Sequence, residues 1–171
     1  MRNPGIVALH AVTTSNALRY AYSTSADPRT RLMLMLQGAS FIPLFRGDPG
    51  RGRDVSVDAF EPKATKESGD EAVAELFNDS GSDRMTASAK ALSYLSTGGD
   101  PKLLIDHARR LVFVKGNDSH DYKFSSAVLE DHAHLSPTWR DRYLATSLFL
   151  LPTPAERDNA LVQRTRVALG A

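Results

Sequence analysis

DPKLLIDHARRLVFVKGNDSHDYK, residues 100–123, decides whether the chain contains a sheet. Within it, Leu111-Val112-Phe113-Val114 is the only strand-like run in the sequence. It is short, apolar and rich in β-branched or aromatic side chains. Yet it continues a stripe begun by Leu103, Leu104 and His107 at helical spacing. Asp100 and Pro101 supply a cap and a preorganised first helical position. Gly116 supplies a stop. The segment therefore reads as one helix, and a second begins near Asp118 or Ser119. With the one candidate strand absorbed, the expected class is all-α.

The same grammar extends outward. A capping residue followed by proline recurs at Asp27-Pro28, Ser136-Pro137 and Thr153-Pro154, and each pair is expected to open a helix. The first helix is expected over about Ile6–Tyr22. Its run Thr13-Thr14-Ser15-Asn16 is poor helix sequence, tolerated where those side chains face something polar. The second helix runs from Pro28 to about Phe45. Its centre, Leu32-Met33-Leu34-Met35-Leu36, is apolar all round, which predicts a buried helix. From Arg46 to about Glu67 the periodicity dissolves into Gly, Pro and Arg, giving a long flexible loop over about 46–68. A third helix is expected over about Asp70–Asn78. A fourth, capped by Ser82 or Asp83, ends at Gly98-Gly99. No fixed-period repeat is present. The expected architecture is a single helical domain, 1–171, an irregular bundle of about eight helices with one long loop.

At 171 residues the chain has enough core to fold without staples. A formal net charge of +1 gives no pull toward nucleic acid. The absence of cysteine removes disulfides and thiolate chemistry and is compatible with a cytoplasmic location. No apolar run approaches the roughly 20 residues of a membrane span, so no membrane partner is expected. Helix-like sequence beginning almost at Met1 also suits a fragment, or a short version, of a longer protein.

No phosphate loop, HExxH, Gly-x-Ser-x-Gly or dinucleotide fingerprint occurs. What remains is histidine, carboxylate and lysine. His120 and Lys123 are three apart and project from one face near a helix start. Neutral imidazole is a common ligand for first-row metals. An ammonium is not a ligand, because no lone pair remains. A buried neutral amine that takes up carbon dioxide becomes a carbamate, which ligates like a carboxylate; the other reading of the pair is a solvated His and Lys in an exposed first helical turn beside Asp118 and Asp121. His10 lies in an apolar segment, where a hydrogen-bonded core residue and a metal ligand are both open readings. The same holds for His107, while His132 and His134 form a weaker His-x-His near a helix end. Arg51 and Arg53 suit either a solvated loop or a phosphate grip.

Two stretches resemble a known family. Leu9-His10-Ala11-Val12-Thr13-Thr14-Ser15-Asn16-Ala17-Leu18, with the Leu-rich helix ending at Gln37, is similar to a segment of the questin oxidase-like family. Asp118-Ser119-His120-Asp121-Tyr122-Lys123 is similar to that family's Asp-x-His-x-x-Lys segment, in the same order. The resemblance covers about the C-terminal half of a typical member. It implies an oxygenase of aromatic polyketides, with non-haem iron held by histidines and a carboxylated lysine. NADPH would serve as external reductant. Carried over, His10 and His120 become candidate metal ligands and Lys123 the candidate carbamate. Further histidines of the family's N-terminal half have no counterpart here.

The leading expectation is thus a metal-dependent oxygenase, or its metal-binding part, acting on an aromatic small-molecule substrate with dioxygen. The alternative is a non-catalytic helical scaffold or interaction module. A third option is a metal-free pocket lined by Trp139, Tyr143 and Phe124. The oligomeric state is not encoded in any pattern above. One geometric condition separates the first two readings: His10 must lie within about 10 Å of His120, the span two imidazoles can bridge through one ion.

Overall fold

Cap chemistry sets most of the element boundaries. Asp27, Asp83, Asp100 and Asp118 each accept backbone N–H groups at a helix start. At Asp118 the capping is reciprocal, because the Asp121 carboxylate accepts from the Asn117 and Asp118 amides. The computed structural model describes residues 5–45, 57–58 and 60–170. Among these it has eight α-helices and no strand. They are α1 (Gly5–Thr24), α2 (Pro28–Phe41), α3 (Gly69–Ser80), α4 (Arg84–Ser96), α5 (Pro101–Lys115), α6 (Ser119–Asp131), α7 (Pro137–Ser147) and α8 (Ala160–Leu169). A 3-10 turn, Ile42–Phe45, prolongs α2.

Leu111–Val114 is helical, as its stripe requires. The turn into α6 is tight. A Cβ on Gly116 would lie 2.6 Å from the Val112 carbonyl oxygen, so a larger residue would push the chain off α5. The Tyr122 hydroxyl donates to the Gly116 carbonyl at 2.8 Å and closes the turn.

The core lies among α3–α7. Leu76, Leu104, Leu144 and Leu148 are fully buried there, and each contributes roughly 1.5–3 kcal/mol by leaving water. Leu151, in the turn after α7, joins them. α4 packs on α3 and α7, and α6 bridges α5 to α7. Beside this core Lys90 is buried and pairs with both Glu75 and Asp79. Glu75 also accepts the amides of Lys66 and Glu67, at 2.9 and 3.2 Å.

Two sequence expectations are corrected. First, α2 has no buried residue. Only one stripe, Arg31, Leu34, Gly38 and Phe41, turns partly inward. Gly38 allows the close approach, since a Cβ there would meet Leu18 of α1 at 3.4 Å. Leu32, Met33, Met35 and Leu36 lie on the far side, each more than half exposed. One neighbouring helix covers only one side of a helix that is apolar all round. Second, Thr153-Pro154 opens no helix. It forms a turn, and α8 starts later, capped by Asn159. Asn159 is buried because it serves two ends at once. Its Oδ1 accepts from Val162, and its Nδ2 and backbone amide donate to Phe113 and Val114, all at 2.8–3.0 Å. The described end of the long connection is irregular and is held by several contacts. Phe60 is buried, the Lys63 amide donates to Ala89 at 2.9 Å, and Arg142 donates to the Val57 and Phe60 carbonyls. Arg51 and Arg53 lie outside the described residues.

Candidate functional site

The site begins with how α1 is held. It reaches the α3–α7 core chiefly through α6. Asp131, at the end of α6, is the fastener. Its carboxylate accepts from Asn16 at 2.8 Å and from the Tyr143 hydroxyl at 3.2 Å, and Arg19 lies 3.5 Å away. Arg19 also donates to Glu130 at 2.8 Å. Burial raises the Tyr143 hydroxyl well above its ordinary pKa, and the Asp131 carboxylate adds to this. The phenol therefore stays protonated as a donor. The polar run on α1 thus has its expected function: Asn16 faces a carboxylate, while Thr13 and Ser15 turn back to the carbonyls of Leu9 and Ala11. Asp131→Asn removes the charge facing Arg19. It is expected to cost about 2 kcal/mol and to raise amide exchange in α1 before α4, measurable by hydrogen–deuterium exchange.

Clamped in this way, α1 lays His10 against the first turn of α6, where it is exposed rather than the buried core residue its apolar segment allowed. The His10 and His120 ring centroids are 5.9 Å apart, with the rings nearly perpendicular at 76°. The Phe45 ring lies 6.2 Å from His10 on another side. The Asp118 carboxylate sits 3.4 Å from His120 Nδ1. Its own pKa is lowered, first by the His120 backbone amide that it caps. A carboxylate at Nδ1 favours the tautomer with the proton there and leaves the Nε2 lone pair free.

Lys123 lies one turn further along α6. It lines a groove of about 660 Å³ with Thr13, Thr14, Asn16 and Ala17 of α1 and Ser126 of α6. The volume falls within the range of small-molecule sites. Lys123 is exposed, so the single chain does not supply the burial expected of a carbamate-forming amine. Among the described residues no three His, Asp or Glu side chains converge as metal ligands. An ion here would rest on two imidazoles and a donor of another kind.

The remaining histidines are used elsewhere. His107 stacks on Phe77, centroids 4.6 Å apart, and burial lowers its pKa. His132 is lowered mainly by burial as well, with Asp141 at 3.7 Å opposing. His134 is exposed. The aromatic trio is also dispersed: Phe124 is in the core, Tyr143 serves Asp131, and Trp139 is exposed. The two lowered histidines give a pH dependence. The unfolded chain takes up protons near the ordinary histidine value of about 6.5. The folded chain resists protonation there, so stability falls as pH drops through that value. The thermal midpoint should decrease between neutral and mildly acidic pH, above the carboxylate range. His107→Leu should flatten that slope.

No protein family, curated protein or solved structure matches the chain. Sequence reasoning overlooked Asp131, Arg19 and Phe45. The only available signal was the polar run on α1, which required a polar partner without naming it.

Proposed function

We propose that this chain is a non-haem-iron oxygenase, or the metal-binding part of one, acting on an aromatic, polyketide-like molecule. The observation that supports it is the approach of His10 and His120, 110 positions apart in sequence, to a ring-centroid distance of 5.9 Å. Two imidazoles on one ion with bonds of about 2.1 Å have ring centroids about 4.5–6 Å apart. The His10–His120 centroid separation falls within that range. His10 and His120 would hold it, and Asp118 would orient His120. Lys123 is exposed in the single chain; covered by a partner segment that leaves its amine neutral, it would take up carbon dioxide with loss of one proton and add a carbamate oxygen donor. Bound iron supplies activation of dioxygen, with electrons from an external reductant such as NADPH. The groove between α1 and α6 would seat the organic substrate against Thr13 and Thr14, its Ala17, Leu18 and Ala127 walls giving apolar contact.

The test is elemental analysis of protein purified without chelators, followed by anaerobic reconstitution with ferrous iron. Near-stoichiometric iron is expected. No iron as isolated and no uptake by the apo-protein would remove the proposal. The exposed apolar face of α2 supports the second reading, a non-catalytic interaction module. Under that reading the chain would bind no iron yet still associate through α2.

A further inference from the structure

We propose that α2 is the contact between two copies of this chain, packed antiparallel about a two-fold axis near Leu36. The proposal is independent of any metal.

The exposed face of α2 is large and uncharged. Leu32, Met33, Met35, Leu36 and Leu44 are 55%, 64%, 60%, 55% and 73% exposed. Together they present on the order of 500 Å² of apolar surface, at the upper end of what a monomer carries as its largest patch. The neighbouring Ala39, Ser40 and Pro43, also exposed, extend the face toward the roughly 800 Å² per partner of a standard interface. No ionisable residue occurs from Leu32 to Phe45. An acidic or basic partner would find nothing to pair with along that length, whereas a second copy brings a surface that is equally uncharged.

The face is also complementary to itself. Its first half carries bulky Leu32 and Met33, and its second half carries small Ala39 and Ser40. Centring the axis on Leu36 sets Leu32 opposite Ser40 and Met33 opposite Ala39 in each copy, large against small. It also brings Arg29 to the C-terminal end of the partner helix, where unpaired carbonyls carry partial negative charge. A parallel arrangement would instead place Arg29 and Arg31 against their own counterparts. An isologous contact of this kind closes with two copies.

Sedimentation equilibrium of the full chain in the micromolar range tests this. The wild-type chain is expected to be a dimer. Leu36→Glu sets two carboxylates face to face in an apolar contact and should weaken association by on the order of 100-fold, with helical circular dichroism retained. The chain has no cysteine. Leu36→Cys should therefore cross-link efficiently on mild oxidation, while Lys102→Cys, at an exposed position at the start of α5, should not. The cross-linking comparison decides the matter should Leu36→Glu fail to fold. A monomeric wild-type chain, an undiminished dimer in folded Leu36→Glu, or equal cross-linking at both cysteines would each overturn the proposal.

Discussion

His120→Ala is expected to lower the affinity for ferrous iron, or for cobalt(II) as a spectroscopic substitute, by more than about 100-fold. Disturbing a group that merely orients a ligand costs about 10–100-fold, and loss of one of two imidazoles must cost more. An anaerobic titration followed by visible absorption of the cobalt form reads the effect. His10→Ala should match it, because the rings meet from separate helices at 5.9 Å. Lys123→Ala separates two versions of the site. Loss of metal in that variant places the lysine among the ligands. Retention leaves two imidazoles and solvent. Unchanged affinity in both histidine variants would remove the metal from the account and leave the groove to be explained by other chemistry.

Leu144→Ala should cost about 3 kcal/mol, within the 2–5 kcal/mol seen for leucine truncation in closed cores. Leu144 is 0% exposed on α7. α4 and α6 pack against that helix, so little can collapse into the vacated space. For a chain of this length the thermal midpoint should fall by about 10 °C. Urea unfolding with an unchanged slope would assign the loss to the native core. A loss below about 1 kcal/mol would mean that the bundle centre is loosely packed.

The all-α architecture was legible because its start signals are chemically explicit. An aspartate that caps free amides, followed by proline at the first helical position, leaves few alternatives, and Asp27 and Asp100 behave so. Thr153-Pro154 shows the limit. Threonine caps less strongly than asparagine, and Asn159 six residues on also had carbonyls at the end of α5 to satisfy. That second demand is tertiary and leaves no local pattern. The error at α2 has a related cause. Apolarity on every side states that a helix wants cover, but not whether the cover comes from its own chain. The meeting of His10 with His120 depends on Asn16, Arg19 and Asp131, residues separated by more than 110 positions. Spacing rules operate within a few turns and cannot see such a pairing.

The Asp131 fastener joins two bodies, α1 with α2 on one side and the remaining helices on the other, and both imidazoles face that seam. Any molecule gripping the two sides together binds the closed seam better than the open one, and by mass action it must raise the melting temperature. At a hundredfold excess over its dissociation constant the gain is about 2.7 kcal/mol. Calorimetry on the unmodified protein can therefore rank candidate ions and aromatic compounds before any reaction has been assayed.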